Sequence, residues 1–110
     1  MMLVPLDELQ LLHTNLCQAI GDPKRIQILY ALHDSPQHVN ALAEMLDTPQ
    51  STISRHLARL RERGIVNTQR DGTMIFYSLA EPRMIDILDQ MRALLRDLIE
   101  EKNRILEGTL

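Results

Sequence analysis

Apolar residues recur every three or four positions through most of this 110-residue chain, and the rhythm changes once, after Gly64. Leu6, Leu9, Leu12, Leu16 and Ile20 mark one face of a first helix, predicted to start at Pro5 with Asp7 and Glu8 in its first turn and to stop at Gly21. Asp22-Pro23 supplies an N-cap followed by proline at the first helical position, and Ile26, Ile28, Leu29 and Leu32 give the second helix its apolar side. His33-Asp34-Ser35-Pro36 breaks that helix. Asn40 is the expected cap of a short third helix containing Leu42, Ala43, Met45 and Leu46. Asp47 and Thr48 make a turn, and Thr48-Pro49 reads as cap and first position of a fourth helix. Ile53, Leu57 and Leu60 form its buried stripe, which ends at Gly64.

Beyond Gly64 the segments Ile65–Arg70 and Thr73–Leu79 are rich in β-branched and aromatic residues, with Asp71-Gly72 between them. Asp-Gly flanked by two such runs predicts a hairpin closed by a type I′ turn, whose two central residues need positive φ. A last helix is expected from Glu81-Pro82 to about Leu106, with Met84, Leu88, Met91, Leu95 and Leu98 in alternating steps of four and three, widened by Ile87, Leu94 and Ile99. The predicted order is four helices, a hairpin and a fifth helix, a mostly α fold with a small β-hairpin (α+β). A short helix, a tight turn, a second helix and a hairpin is the layout of a winged helix-turn-helix, expected here as one domain spanning 1–110.

Composition sharpens this picture. With 3% aromatic residues and no Trp, the chain has few large core anchors, so extra burial against a partner subunit is expected. The opening MMLVPLDELQ lacks the basic start of a secretory leader, no apolar run is long enough to span a membrane, and the lone Cys17 fits a reducing cytoplasm. The net charge of -3 argues against nucleic acid until its distribution is considered. Between Gln50 and Thr73 stand Arg55, Arg59, Arg61, Arg63 and Arg70 against only Glu62 and Asp71, so a basic stretch sits inside an acidic chain.

That stretch carries the candidate chemistry. If Ile53, Leu57 and Leu60 pack inward, then Gln50, Ser51, Ser54, Arg55, Ala58 and Arg59 face outward or flank the seam, and Thr52 joins the DNA-binding candidates. Small hydroxyls and amides at a helix N-terminus allow close approach to a duplex, and the free N–H groups there favour phosphate. Arg55 suits a bidentate contact to guanine and Gln50 a pair with adenine. Arg59 and Arg63 lie one and two turns further on, where phosphates are the expected partners. Gln69, Arg70 and Thr73 flank the hairpin turn, within reach of a minor groove or backbone. His56 has two readings: a base or phosphate contact, or a ring packing beside Leu57.

Three separated motifs carry a resemblance: Ile20-Gly21-Asp22-Pro23-Lys24-Arg25-Ile26-Gln27-Ile28-Leu29, Ser51-Thr52-Ile53-Ser54-Arg55-His56-Leu57, and the Arg70-Asp71-Gly72 to Tyr77 wing. Together, over roughly Leu16 to Leu98, the chain resembles the ArsR/SmtB family. The resemblance implies a cytoplasmic, dimeric repressor that leaves its operator DNA on sensing an inducer. It also implies a homodimer through the first and last helices, with Leu9, Leu12, Leu16, Met84, Leu88, Met91, Leu95 and Leu98 at the interface. Two metal-site types belong to that family. The positions of the first fall on His38 and Asn40, which cannot form a thiolate site; those of the second fall on Glu81, Arg83, Leu94 and Asp97, where a cation and an apolar residue oppose a divalent ion. No cofactor is therefore expected. One metal candidate remains, His13 and Cys17 at i and i+4 on the first helix, against two alternatives: a redox role, or side chains that simply pack.

No Gly-rich phosphate loop or nucleophile elbow is present, and Cys17 has no base constellation beyond His13, so an enzyme is not expected. The competing reading is a winged helix that binds protein in place of DNA. The concentration of arginine on the fourth helix separates the two, since a protein-binding module has no need of it.

Overall fold

The computed structural model describes residues 3–108; Met1 and Met2, part of the stretch read above for a leader, lie outside the described residues, as do Thr109 and Leu110. Helix α1 (Leu6–Leu12) runs into a π-helical turn (His13–Cys17), followed by α2 (Pro23–Ala31) and a two-residue strand β1 (Gln37–His38). Then come α3 (Val39–Met45), α4 (Gln50–Glu62), the hairpin β2 (Val66–Asp71) and β3 (Met74–Leu79), and α5 (Arg83–Gly108). The strands form one antiparallel sheet in the order β1-β3-β2, with Gln37 opposite Tyr77 and His38 opposite Phe76. Strand β1 was not foreseen, because two residues carry no alternation to detect.

Several local choices follow directly from residue chemistry. Asp22 caps α2 by accepting the Lys24 N–H at 2.8 Å, and Pro23 occupies the first turn where its missing N–H costs nothing. Helix α3 begins earlier than expected: His38, and not Asn40, is its cap, with Nδ1 accepting the Ala41 N–H at 3.3 Å. Helix α4 starts one residue later than expected, at Gln50 with Pro49 and not Thr48 as N-cap; the Thr48 hydroxyl instead turns back to donate to the Leu46 carbonyl.

Both helices of the central pair end in the same hydrogen-bonded arrangement. After α4, Ile65 N–H bonds to the Leu60 carbonyl and Gly64 N–H to that of Arg61, with Gly64 at φ 73°. After α3, Thr48 N–H bonds to Ala43 and Asp47 N–H to Glu44, with Asp47 at φ 46°. A left-handed residue is needed at both places to turn the chain back, and only α4 has glycine there.

The hairpin turn also differs from expectation. Asp71 pairs with Met74 in the ladder, so Gly72 and Thr73 are the central residues, and only Gly72 has positive φ, at 65°. Glycine at the first central position is the pattern of a type II′ turn.

The first helix loosens where a uniform α-helix was expected: Gln18 N–H bonds five residues back to His13. Leu12, Leu16 and Ile20 are spaced by fours, so the wider turn keeps them on one side. The core is a single cluster built from Ile28 and Leu29 of α2, Leu42 of α3, Ile53, Leu57 and Leu60 of α4, and Val66 of β2, all fully buried. Met84, Ile85 and Leu88 close it from the first turns of α5. Past Leu88 no described residue of α5 is buried, although its 26 residues extend about 39 Å.

Asp47 supplies a test of the turn. Replacing it with Gly removes the Cβ conflict of a left-handed residue, and the variant is expected to gain about 0.5–1 kcal/mol in urea unfolding. A loss of stability would show that the Asp47 side chain, and not its backbone conformation, holds the turn.

Candidate nucleic-acid interface

Burial of Ile53, Leu57 and Leu60 sets the rotation of α4 and therefore which side chains it presents. Gln50, Ser51, Ser54, Arg55, Ala58 and Arg59 are exposed, and Thr52 is half-buried. On the wing, Gln69, Arg70 and Thr73 are exposed at or beside the turn. Gln50 and Thr73 are brought together: both line a shallow groove of about 250 Å³ between the start of α4 and β3, shared with His38, Asn40 and Tyr77. Asn40, expected only as a cap, is thus an exposed polar side chain on the same face as the DNA-reading candidates.

The arginines are electrostatically available. Among the described residues the ion pairs are Glu81–Arg83, Asp89–Arg92 and Glu101–Arg104, and none involves Arg55, Arg59, Arg61, Arg63 or Arg70. Their charge is left for an external anion.

His56 is a correction to the DNA-contact set. Its side chain is buried, with 6% relative exposure, on the inner side of α4, so it packs and does not reach DNA. Its Nδ1 lies 3.4 Å from Nη1 of Arg25, a residue of α2 to which no role was assigned from sequence. Burial holds the imidazole below the ordinary histidine pKa; the Asp22 carboxylate opposes that shift, while Arg25, Arg55 and Lys24 add to it.

Two interface expectations also change. Met84 and Leu88 belong to the protomer's own core. Leu9, Leu12, Met91, Leu95 and Leu98 are exposed, and Leu16 is half-buried against the core. Periodicity alone does not separate them, because the stripe on α5 continues unbroken from the core to the exposed part of the helix. Near the start of α5, Tyr30 of α2 donates to Asp89 at 2.6 Å, and the Arg92 guanidinium lies over the Tyr30 ring.

The positions aligned with metal sites do not fit a divalent ion. The Glu81 carboxylate accepts from Arg83 Nε at 2.7 Å, which also lowers the Glu81 pKa, so a built-in cation already occupies it. His38 is engaged through Nδ1 as a cap, with its ring edge against Phe76. His13 and Cys17 are both exposed on the π-turn. Among the described residues no group of three or more His, Cys, Asp or Glu gathers there or elsewhere to hold a metal.

A helix-turn-helix whose second helix presents unpaired arginines, followed by a β-hairpin wing, defines a winged helix-turn-helix of the DNA-binding class. The model for bacterial regulatory proteins of the arsR family matches residues 22–68. The transcriptional activator HlyU of Vibrio cholerae is 37% identical over 79 residues, covering 69% of this chain and 73% of its own length. The regulator KmtR of Mycobacterium tuberculosis is 47% identical over 60 residues, 54% of this chain, and that match spans 46% of KmtR. The structure of NolR from Sinorhizobium fredii superimposes with a TM-score of 0.73 at 32% identity, covering 86% of this chain and 95% of that one. The chain belongs to the ArsR family of transcriptional regulators. No helix among the described residues is long and apolar enough to cross a membrane.

The buried imidazole makes stability depend on pH. The unfolded histidine takes up a proton first as pH falls, so stability present at neutral pH is lost as pH drops from about 6.5 through the lower folded value. In thermal melts between about pH 7.5 and 5, the wild type is expected to lose more midpoint temperature than His56→Gln. Parallel curves for the two proteins would show that folding leaves the His56 pKa where it is in the unfolded chain.

Proposed function

We propose that this chain binds operator DNA as a homodimer, each α4 lying in a major groove with the β2–β3 wing on the adjoining groove or backbone. It acts from the cytoplasm as a transcriptional repressor released by an inducer. The observation that carries the reading is the division of α4: three apolar residues turned fully into the core, and Gln50, Ser51, Ser54, Arg55 and Arg59 left outside without an internal ion pair. Arg55 is the base-reading candidate; Arg59 and Arg70 serve the phosphates. Thr52 and Thr73 provide hydroxyls at the helix start and the wing.

Helices α1 and α5 support the homodimer reading. Leu9, Leu12, Met91, Leu95 and Leu98 form exposed apolar surface on the two helices, with Leu94 at 57% and Leu98 at 60% relative exposure. Scattered apolar residues are ordinary on a protein surface, whereas a stripe at heptad spacing marks a helix–helix interface. The groove of about 350 Å³ formed by Leu12, Leu16, Cys17, Ile26, Met84 and Met91 lies along the same two helices.

Selection from a randomised duplex pool is expected to return an inverted repeat with half-site centres about 34 Å apart, or a small multiple of that. On the selected duplex, Arg55→Ala is expected to cost about 1–3 kcal/mol and relax preference at one base position. Arg70→Ala should weaken all duplexes alike and reduce the salt slope by about one. Equal loss on every sequence for Arg55→Ala would remove it from base reading. For the interface, Leu95→Asp is expected to give a monomer in sedimentation and to weaken operator binding; a dimer that survives this change would place the interface elsewhere.

A further inference from the structure

Arg25 reaches three other residues with its guanidinium, yet it belongs to neither the reading face nor the wing. It stands in the first turn of α2. Nε donates to the Ala19 carbonyl and Nη2 to the Gln18 carbonyl at 3.0 Å, both just past the π-turn that ends the first helix. Nη1 lies 3.4 Å from Nδ1 of His56, on the concealed side of α4 and next in sequence to Arg55. Arginine carries donors only, so the contact requires His56 to be neutral at Nδ1, with its proton on Nε2. A helix end leaves carbonyls without partners, and a cation there is favoured by the helix dipole, so the fork suits its position.

From this arrangement we propose that Arg25 is a positioning residue for DNA reading, locking the end of the first helix to the buried side of α4 through His56. The proposal rests on the DNA-binding homodimer described above, in which the first helix carries part of the dimer contact. The rotation of α4 about its axis decides where Arg55 points. Apolar packing of Ile53, Leu57 and Leu60 sets which side of α4 faces outward, and the contact at His56 adds a directional restraint on the final angle within that rotation. The same fork ties the orientation to the first helix, so the separation of the two reading helices and the angle of each are set by one connected unit.

Protonation of His56 breaks the lock: an N–H at Nδ1 would then face the Nη1 donors. The charged groups around the imidazole are Asp22, Lys24 and Arg25 from α2 and Arg55 from α4 itself, and Arg59 and Glu62 line the small cleft beside Arg25 with Gln18 and Ala19. Asp22 is the carboxylate among those that face the ring, and it is held by the Lys24 N–H as the α2 cap.

The test uses the full chain and the duplex recovered by selection with wild-type protein, alongside an unrelated duplex of the same length. Arg25→Lys keeps the charge but cannot span three acceptors. It is expected to lose about tenfold or more in affinity for the selected duplex while binding the unrelated duplex as wild type does and remaining the same oligomer. His56→Gln keeps an acceptor without a proton to gain, and its selectivity is expected not to fall on acidification as that of the wild type does. Nitrogen-15 spectra of the free protein near neutral pH are expected to show His56 protonated at Nε2 and bare at Nδ1, a readout that needs no variant to fold. Wild-type selectivity in Arg25→Lys, or a proton at Nδ1 of His56 near neutral pH, overturns the proposal. Failure of the wild type to retain any duplex would instead overturn the DNA-binding reading beneath it.

Discussion

The insertion of Ile53, Leu57 and Leu60 between α2, α3 and β2 is the constraint on which the rest of this molecule depends. Each of these side chains is fully buried, and large-to-small changes at such positions cost about 2–5 kcal/mol because a void is left that the surroundings fill only partly. Their burial does more than stabilise. A helix has one rotation that hides a given stripe, and once that stripe is hidden the outward residues follow without further choice. Gln50, Ser54, Arg55 and Arg59 are therefore held in the open by apolar packing on the opposite side, not by contacts of their own.

Two polar devices refine what packing begins. The left-handed turns at Asp47 and Gly64 set where α4 enters and leaves, and the fork from Arg25 reaches its inner side at His56. The wing is placed by the β2–β3 ladder and by the short strand β1, which ties the start of α3 to β3. Gln50 and Thr73, twenty-three positions apart, border one groove for that reason. The long α5 divides along its length: Met84, Ile85 and Leu88 complete the protomer's core, and the later apolar residues stay exposed.

Element type and order were legible because the period of the apolar residues changes from helical to strand-like after Gly64, and because Asp22-Pro23 and Asp71-Gly72 are strong local signals. Boundaries were less so. Asn40 looks a good cap, but His38 sits two residues earlier with an acceptor nitrogen, and a histidine cap is indistinguishable from any other histidine in a sequence. The hairpin slid by one residue because Asp71 is compatible with the ladder and Gly72 alone satisfies the turn. The π-turn at His13–Cys17 left no mark, since Leu12, Leu16 and Ile20 suit either pitch.

By itself the sequence determined which face of the fourth helix is apolar and that five arginines gather beside it, since both properties belong to short stretches of chain. It also determined the class of the fold, because successive elements of that length and order pack in few ways. Only the tertiary structure decided that His56 is inside, that Met84 and Leu88 serve the core while Met91 and Leu95 do not, and that Arg25 meets α4. Each of these depends on what a distant segment brings alongside. Periodicity identifies an apolar side of a helix but not its neighbour, and a hydrogen bond between residues thirty-one positions apart has no local signature.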